Sequence, residues 1–152
     1  EVRRPTKLQP AMEIKAVKYM VKEIREVTPV SYGGTYVSSE KRTVATVPIG
    51  YADGYPRLLS NKMYMLVNGK KAPVLGNVCM DQTVIDVTGI DGVSEGKTIT
   101  VFGRDGTAFL DVSEIAEKAG LLNYEILCSL SRRVPRVYVR EDKIIETTDY
   151  ML

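Results

Sequence analysis

The chain has 152 residues, with nine tyrosines, two cysteines and no histidine. That inventory bounds its chemistry. Without histidine, neither a Ser-His-Asp nor a Cys-His nucleophile system can be completed inside the chain. A zinc site that uses histidine is excluded for the same reason. An acid or base must then be a carboxylate, a lysine, a tyrosine or a cysteine. Cys79 and Cys128 are too few and too far apart for a metal knuckle. They read as reduced thiols of a cytoplasmic protein, used in packing, with a single disulfide as the other possibility.

A tyrosine base carries a condition. A free phenol titrates near about 10, so its phenolate is scarce at neutral pH. Nearby positive charge or hydrogen bonding must favour the ionised form.

Two other patterns look chemical and are set aside. Glu95-Gly96-Lys97-Thr98 ends like a phosphate-binding loop. The first glycine of that motif would fall at position 91, where Asp91 stands, and the segment leads into a strand instead of a helix. Arg132, Arg133, Arg136 and Arg140 form a basic run near tyrosine. On a small β-module such a run could track single-stranded nucleic acid. A strand whose arginines face solvent or pair with carboxylates is the plainer reading. The net charge of +2 adds nothing to the nucleic-acid case.

The scaffold for these residues is a folded domain of ordinary composition, 44% hydrophobic and 26% charged. Its length suits one domain with its own core. No apolar run is long enough to span a membrane, and no signal-peptide pattern opens the chain. Residues 1–10 are polar, carry two prolines and read as a linker or the end of a preceding domain. The chain opens on Glu1-Val2 and not on Met, which points to a piece of something longer.

Residues 11–27 alternate with a one-residue slip and predict one long strand with a bulge. Paired Gly33-Gly34 permits a tight path at positive φ. Strands are expected over 42–49, 83–87 and 97–102, by β-branched density. Residues 63–75 predict a hairpin turning at Asn68-Gly69 through a type I′ turn. Asp111 can cap a helix, with Glu114 completing a capping box and Gly120 stopping it. A second short helix is expected over 124–130, then a closing hairpin around Glu141-Asp142. Together these predict a mainly β fold, a small closed Greek-key-like β-barrel with one or two short helices.

Five motifs then occur in order: Val30-Ser31-Tyr32-Gly33, the run Gly50 to Arg57 (GYADGYPR), Gly76 to Gln82 (GNVCMDQ), Asn123-Tyr124-Glu125, and Arg133-Val134-Pro135-Arg136. Any one alone is weak. In this order they resemble the C-terminal domain of alanine racemase, a pyridoxal-phosphate (PLP) enzyme, and the likeness covers nearly the whole chain. The resemblance implies that residues 11–152 are that domain. It also implies a missing N-terminal (β/α)8 barrel, which holds PLP on a lysine, and a homodimer sharing its active sites between subunits.

The resemblance further implies roles for individual residues. Tyr32 is the catalytic base given to the partner subunit's site. Met80 offers its backbone amide to the carboxylate of the amino-acid substrate, and Tyr51 lines the inner entrance. Asp81 and Asn77 belong to the outer entrance, and Tyr124 hydrogen-bonds the cofactor phosphate. Many members of the family carry arginine where Asn77 stands, so the charge of the entrance is altered here. The implied activity interconverts L- and D-alanine, supplying D-alanine for peptidoglycan, and the fragment alone is expected to be inactive. A serine or broad-specificity racemase of the same fold is the nearest alternative. No nucleic-acid partner and no membrane contact of this fragment are expected.

Overall fold

The computed structural model describes residues 9–17 and 20–151. Most of the linker reading over 1–10 lies outside the described residues.

Two antiparallel sheets carry the fold. The larger has five strands. Its path runs β1 (Ile14–Val17), β9 (Thr98–Asp105), β6 (Tyr64–Val67) and β7 (Lys70–Pro73), and β10 (Ala108–Leu110) pairs with β9. The smaller sheet has three strands in the order β2 (Met20–Ile24), β5 (Arg42–Val47) and β8 (Thr83–Asp86). Among the described residues a single bridge, Val74 to Ile85, joins the two. Two short ribbons complete the β-structure: β3 (Pro29–Val30) with β4 (Tyr36–Val37), and β11 (Arg136–Arg140) with β12 (Lys143–Thr148).

The mainly β content and two helices match expectation. The closed barrel is met only in part, because strand pairing among the described residues does not close into a ring. One strand assignment needs correction. The long strand expected over 11–27 is two strands, β1 and β2, in different sheets. The alternation was real, but alternation reports only a buried face and not which sheet buries it. The phase slip marks where the chain passes from one sheet to the other.

Turn chemistry set the hairpins. Asn68 and Gly69 both sit at positive φ, 51° and 74°, as a type I′ turn requires. The closing hairpin makes the same turn with Glu141 and Asp142, at φ 50° and 59°. Helix α1 (Val112–Ala119) starts on Asp111, whose carboxylate accepts the Ser113 amide at 2.8 Å, and stops at left-handed Gly120. The expected capping box does not form. Glu114 instead accepts the Tyr64 hydroxyl at 2.8 Å, tying the helix to β6. Helix α2 (Asn123–Ser129) lies within a residue of expectation at each end.

The core divides in two. Val47, Met65, Val67, Ile85, Ile99 and Ile115 belong to a main cluster between the sheets and α1. A smaller cluster joins Ile24, Val30, Val44 and Leu75. Strand β5 serves both, because Ala45 and Val47 face the first and Val44 the second. This explains its run of buried residues, since a central strand covered on both faces shows no polar side.

Candidate active site

The smaller cluster roots two loops. Val30 and Leu75 are buried together, and the residues that follow each of them, Ser31-Tyr32 and Gly76-Asn77, emerge side by side. Gly76 makes the approach possible. Its φ is +76°, and a Cβ there would lie 2.6 Å from the Val30 carbonyl oxygen and 2.8 Å from the Ser31 Cβ. A third loop, 50–57, follows β5 and packs on the same segment. Its Gly50 leaves room where a Cβ would meet the Cys79 and Met80 carbonyl oxygens at 2.2 and 2.3 Å. The Tyr51 and Ala52 amides donate to those two carbonyls, each at 3.0 Å.

The three loops surround an open groove of about 750 Å³. Tyr32, Tyr51, Asn77, Met80 and Asp81 all line it, although they are spread over 50 positions of sequence. Tyr32 is 77% exposed, so its phenol is available to a group outside this chain. Met80 carries its side chain at the surface, and among the described residues its amide N–H has no hydrogen-bond partner. Tyr124 stands apart on α2, also 77% exposed and outside the groove lining.

Two arginines were not assigned from sequence, though both sit inside the quoted motifs. Arg57 lines the groove and adds a positive charge there. Arg133 binds Asp81 at 2.6 Å through Nη2 and faces Asp53 at 3.5 Å through Nε. Asp53 in turn accepts the Gly50 amide at 2.8 Å, and its carbonyl accepts the Ser131 amide at 3.1 Å. Arg133 thus ties the segment before β11 to two of the three groove loops. Its commitment to carboxylates, with Arg132 resting 5.4 Å from the Tyr150 ring centre, removes two arginines from any free basic face. Charge near a motif tyrosine was the signal that could have marked Arg57 and Arg133.

Ser31 is the strained point of the site. Its φ of 66° with ψ of 177° falls where glycine is nearly alone, at a cost of about 1–3 kcal/mol. Its hydroxyl donates to the Asn77 carbonyl at 2.5 Å and lies 3.1 Å from the Cys79 sulfur. Asn77 Nδ2 donates to the Tyr32 carbonyl at 2.8 Å. Hydrogen bonds worth about 1 kcal/mol each are of the right size to offset the strain. Cys79 is a buried thiol that packs here, and Cys128 is an exposed free thiol.

Comparison with known proteins decides the family. The family profile described as alanine racemase, C-terminal domain, matches residues 11–138. The chain belongs to that family. A curated alanine racemase of Halothermothrix orenii is 50% identical over 131 residues, covering 86% of this chain and 35% of the relative. The crystal structure of a Bacillus anthracis alanine racemase with bound L-Ala-P superposes with a TM-score of 0.91 at 38% identity, covering 97% of this chain and 37% of that one. A Bartonella henselae alanine racemase, with covalently bound pyridoxal phosphate, gives a TM-score of 0.82 at 31% identity, covering 90% and 37%. The chain therefore spans a little over a third of the alanine racemases it matches. Among its described residues, no helix is long and apolar enough to cross a membrane.

Proposed function

We propose that this alanine racemase C-terminal domain works joined to an N-terminal PLP-binding barrel, and that it lends Tyr32 to the active site of a partner subunit. The observation that carries the proposal is the convergence of Tyr32, Tyr51 and Met80, from three separate loops, on one groove. In this reading the lysine that carries the cofactor belongs to the barrel.

Racemisation removes a proton from one face of Cα and returns one to the other. PLP, when bound, supplies the sink for the electron pair left at Cα. Tyr32 holds or takes the proton at its phenolic oxygen on one face. The Met80 amide fixes the substrate carboxylate, a role suited to a preorganised donor that carries no charge to desolvate. Tyr51 narrows the inner entrance, and Asn77 and Asp81 form its outer edge. Tyr124 donates its hydroxyl to the cofactor phosphate. Its place outside the groove lining suits a dimer in which one domain serves two sites, Tyr124 at the barrel of its own chain and Tyr32 at the partner's.

The reaction proposed is L- to D-alanine for peptidoglycan, in the cytoplasm. Residues 11–152 are the domain, with 1–10 leading in from the barrel. Closure of the two sheets into a Greek-key-like barrel belongs to the same reading. Its support is that β1 and β2, at the two ends of the strand path, are separated by only residues 18 and 19.

The test is Tyr32→Phe in the full-length enzyme. Turnover of L-alanine should fall by roughly a hundredfold or more, as for loss of an acid–base group, with PLP affinity unchanged. Equal loss of both would make Tyr32 structural. As the control, the 152-residue chain given PLP should turn over no L-alanine.

A further inference from the structure

The turn that presents Tyr32 closes on itself through one long bond, from the Gly34 amide to the Ser31 carbonyl at 3.3 Å. Ser31 occupies backbone space that serine rarely adopts, and what keeps it there lies 46 positions further along the chain. Asn77 meets the turn twice. Its carbonyl accepts the Ser31 hydroxyl at 2.5 Å, and its side-chain amide donates to the Tyr32 carbonyl at 2.8 Å. One bond holds the Ser31 side chain just before Tyr32, and the other holds the backbone carbonyl of Tyr32 itself. Asn61 adds an outer tie, accepting the Gly76 amide at 2.6 Å and donating to Thr35 at 3.2 Å.

We propose that Asn77 is a positioning residue for Tyr32, and that its amide locks the strained turn aiming the phenol. This rests on the reading of Tyr32 as the acid–base group. Asn77 is short and neutral, and its donor is spent on a neighbouring carbonyl. It therefore acts on the direction of the phenol and not on the charge of the entrance. A reacting group displaced by about 1 Å can lose much of its rate with substrate binding intact. The effect of Asn77 should accordingly appear in kcat.

The experiment uses the full-length enzyme with Asn77→Leu, which keeps the size and removes the donor. The expected result is a fall in kcat of about tenfold, the scale of one lost hydrogen bond, with KM changed less than about twofold. Amide hydrogen exchange over residues 31–35 should accelerate. In a Tyr32→Phe background, Asn77→Leu should cost nothing further, since a misaimed phenol no longer matters. Asn77→Asp, nearly the same shape without the donor, gives a second variant if leucine disturbs folding.

Unchanged kcat, or unchanged exchange over 31–35, overturns the proposal. So does a salt-dependent change in KM alone, which would confine Asn77 to its place at the entrance with no part in aiming Tyr32, or a multiplicative loss in the Tyr32→Phe background. Full activity of Tyr32→Phe by itself would instead sink the reading of Tyr32, while the exchange measurement still decides the clamp.

Discussion

Tyrosines separate by surroundings in this domain. Tyr32 is open at the groove, whereas Tyr55, four residues after Tyr51 in the same motif, is buried with no hydrogen-bond partner for its hydroxyl among the described residues. Burial pushes the Tyr55 phenol far above its ordinary range, which removes it as a base near neutral pH. The hydroxyl is a cost without a return. Tyr55→Phe should therefore raise stability, by about 1 kcal/mol, because a desolvated group is removed and no bond is lost. Urea unfolding of the two forms measures it, and a clear loss of stability would show that the hydroxyl has a partner. Sequence marked Tyr32 only through its motif. Ser31 sat in that motif too, but nothing in residue type announces a serine at φ 66°. Asn61, which braces the turn from outside the motifs, gave no signal at all.

At the scale of elements, local chemistry was legible and long-range choice was not. Asn68-Gly69 and the Asp111 to Gly120 caps act through their nearest neighbours, so their types dictate their shapes. Glu114 shows the limit. Its spacing from Asp111 suits a capping box, yet the Tyr64 hydroxyl, 50 positions away, takes the carboxylate. The split between β1 and β2 has the same origin, because both sheets offer an apolar face to an alternating segment. Loop meets loop under a tighter rule. Gly76→Ala would put a methyl group against the Val30 carbonyl and hold alanine at φ +76°. A backbone on one side cannot swing aside as a flexible side chain does. The expected cost is about 1–3 kcal/mol, read as a lower urea midpoint, with faster amide exchange over 31–35 than over β5.

For the whole molecule, the paired carboxylates set the acid limit. Burial alone would raise Asp86, but hydrogen bonds from Thr88 and Arg42 outweigh it and hold the group below its ordinary value. At Glu13 burial again raises the group, but the Lys15 ammonium and the Arg104 amide together lower it, and Ser113 lowers Asp111. Each native pKa thus lies below the unfolded one. The stability each contributes is complete above about pH 4–4.5 and drains away as pH falls through the lower native values. Urea midpoints should be flat from pH 7 to about 5 and decline below about 4, and Asp86→Asn should shrink that decline. A midpoint that rose on acidification would contradict the sign.

The single bridge between Val74 and Ile85 bears on all of this. Most strand pairs within each sheet share several rungs, although β6 and β9 share only Leu66–Thr100, and among the described residues one rung spans the boundary between the sheets. Leu75 to Gln82 begins at that rung and carries Gly76, Asn77, Met80 and Asp81 around to β8. The groove is consequently built astride a seam. The segment that leaves this seam is pinned to the Tyr32 turn by the Ser31 hydroxyl and the Asn77 amide. Those contacts act as a rivet beside a joint whose faces the shared core already clamps, so the aim of one phenol is tied to a segment that both sheets hold.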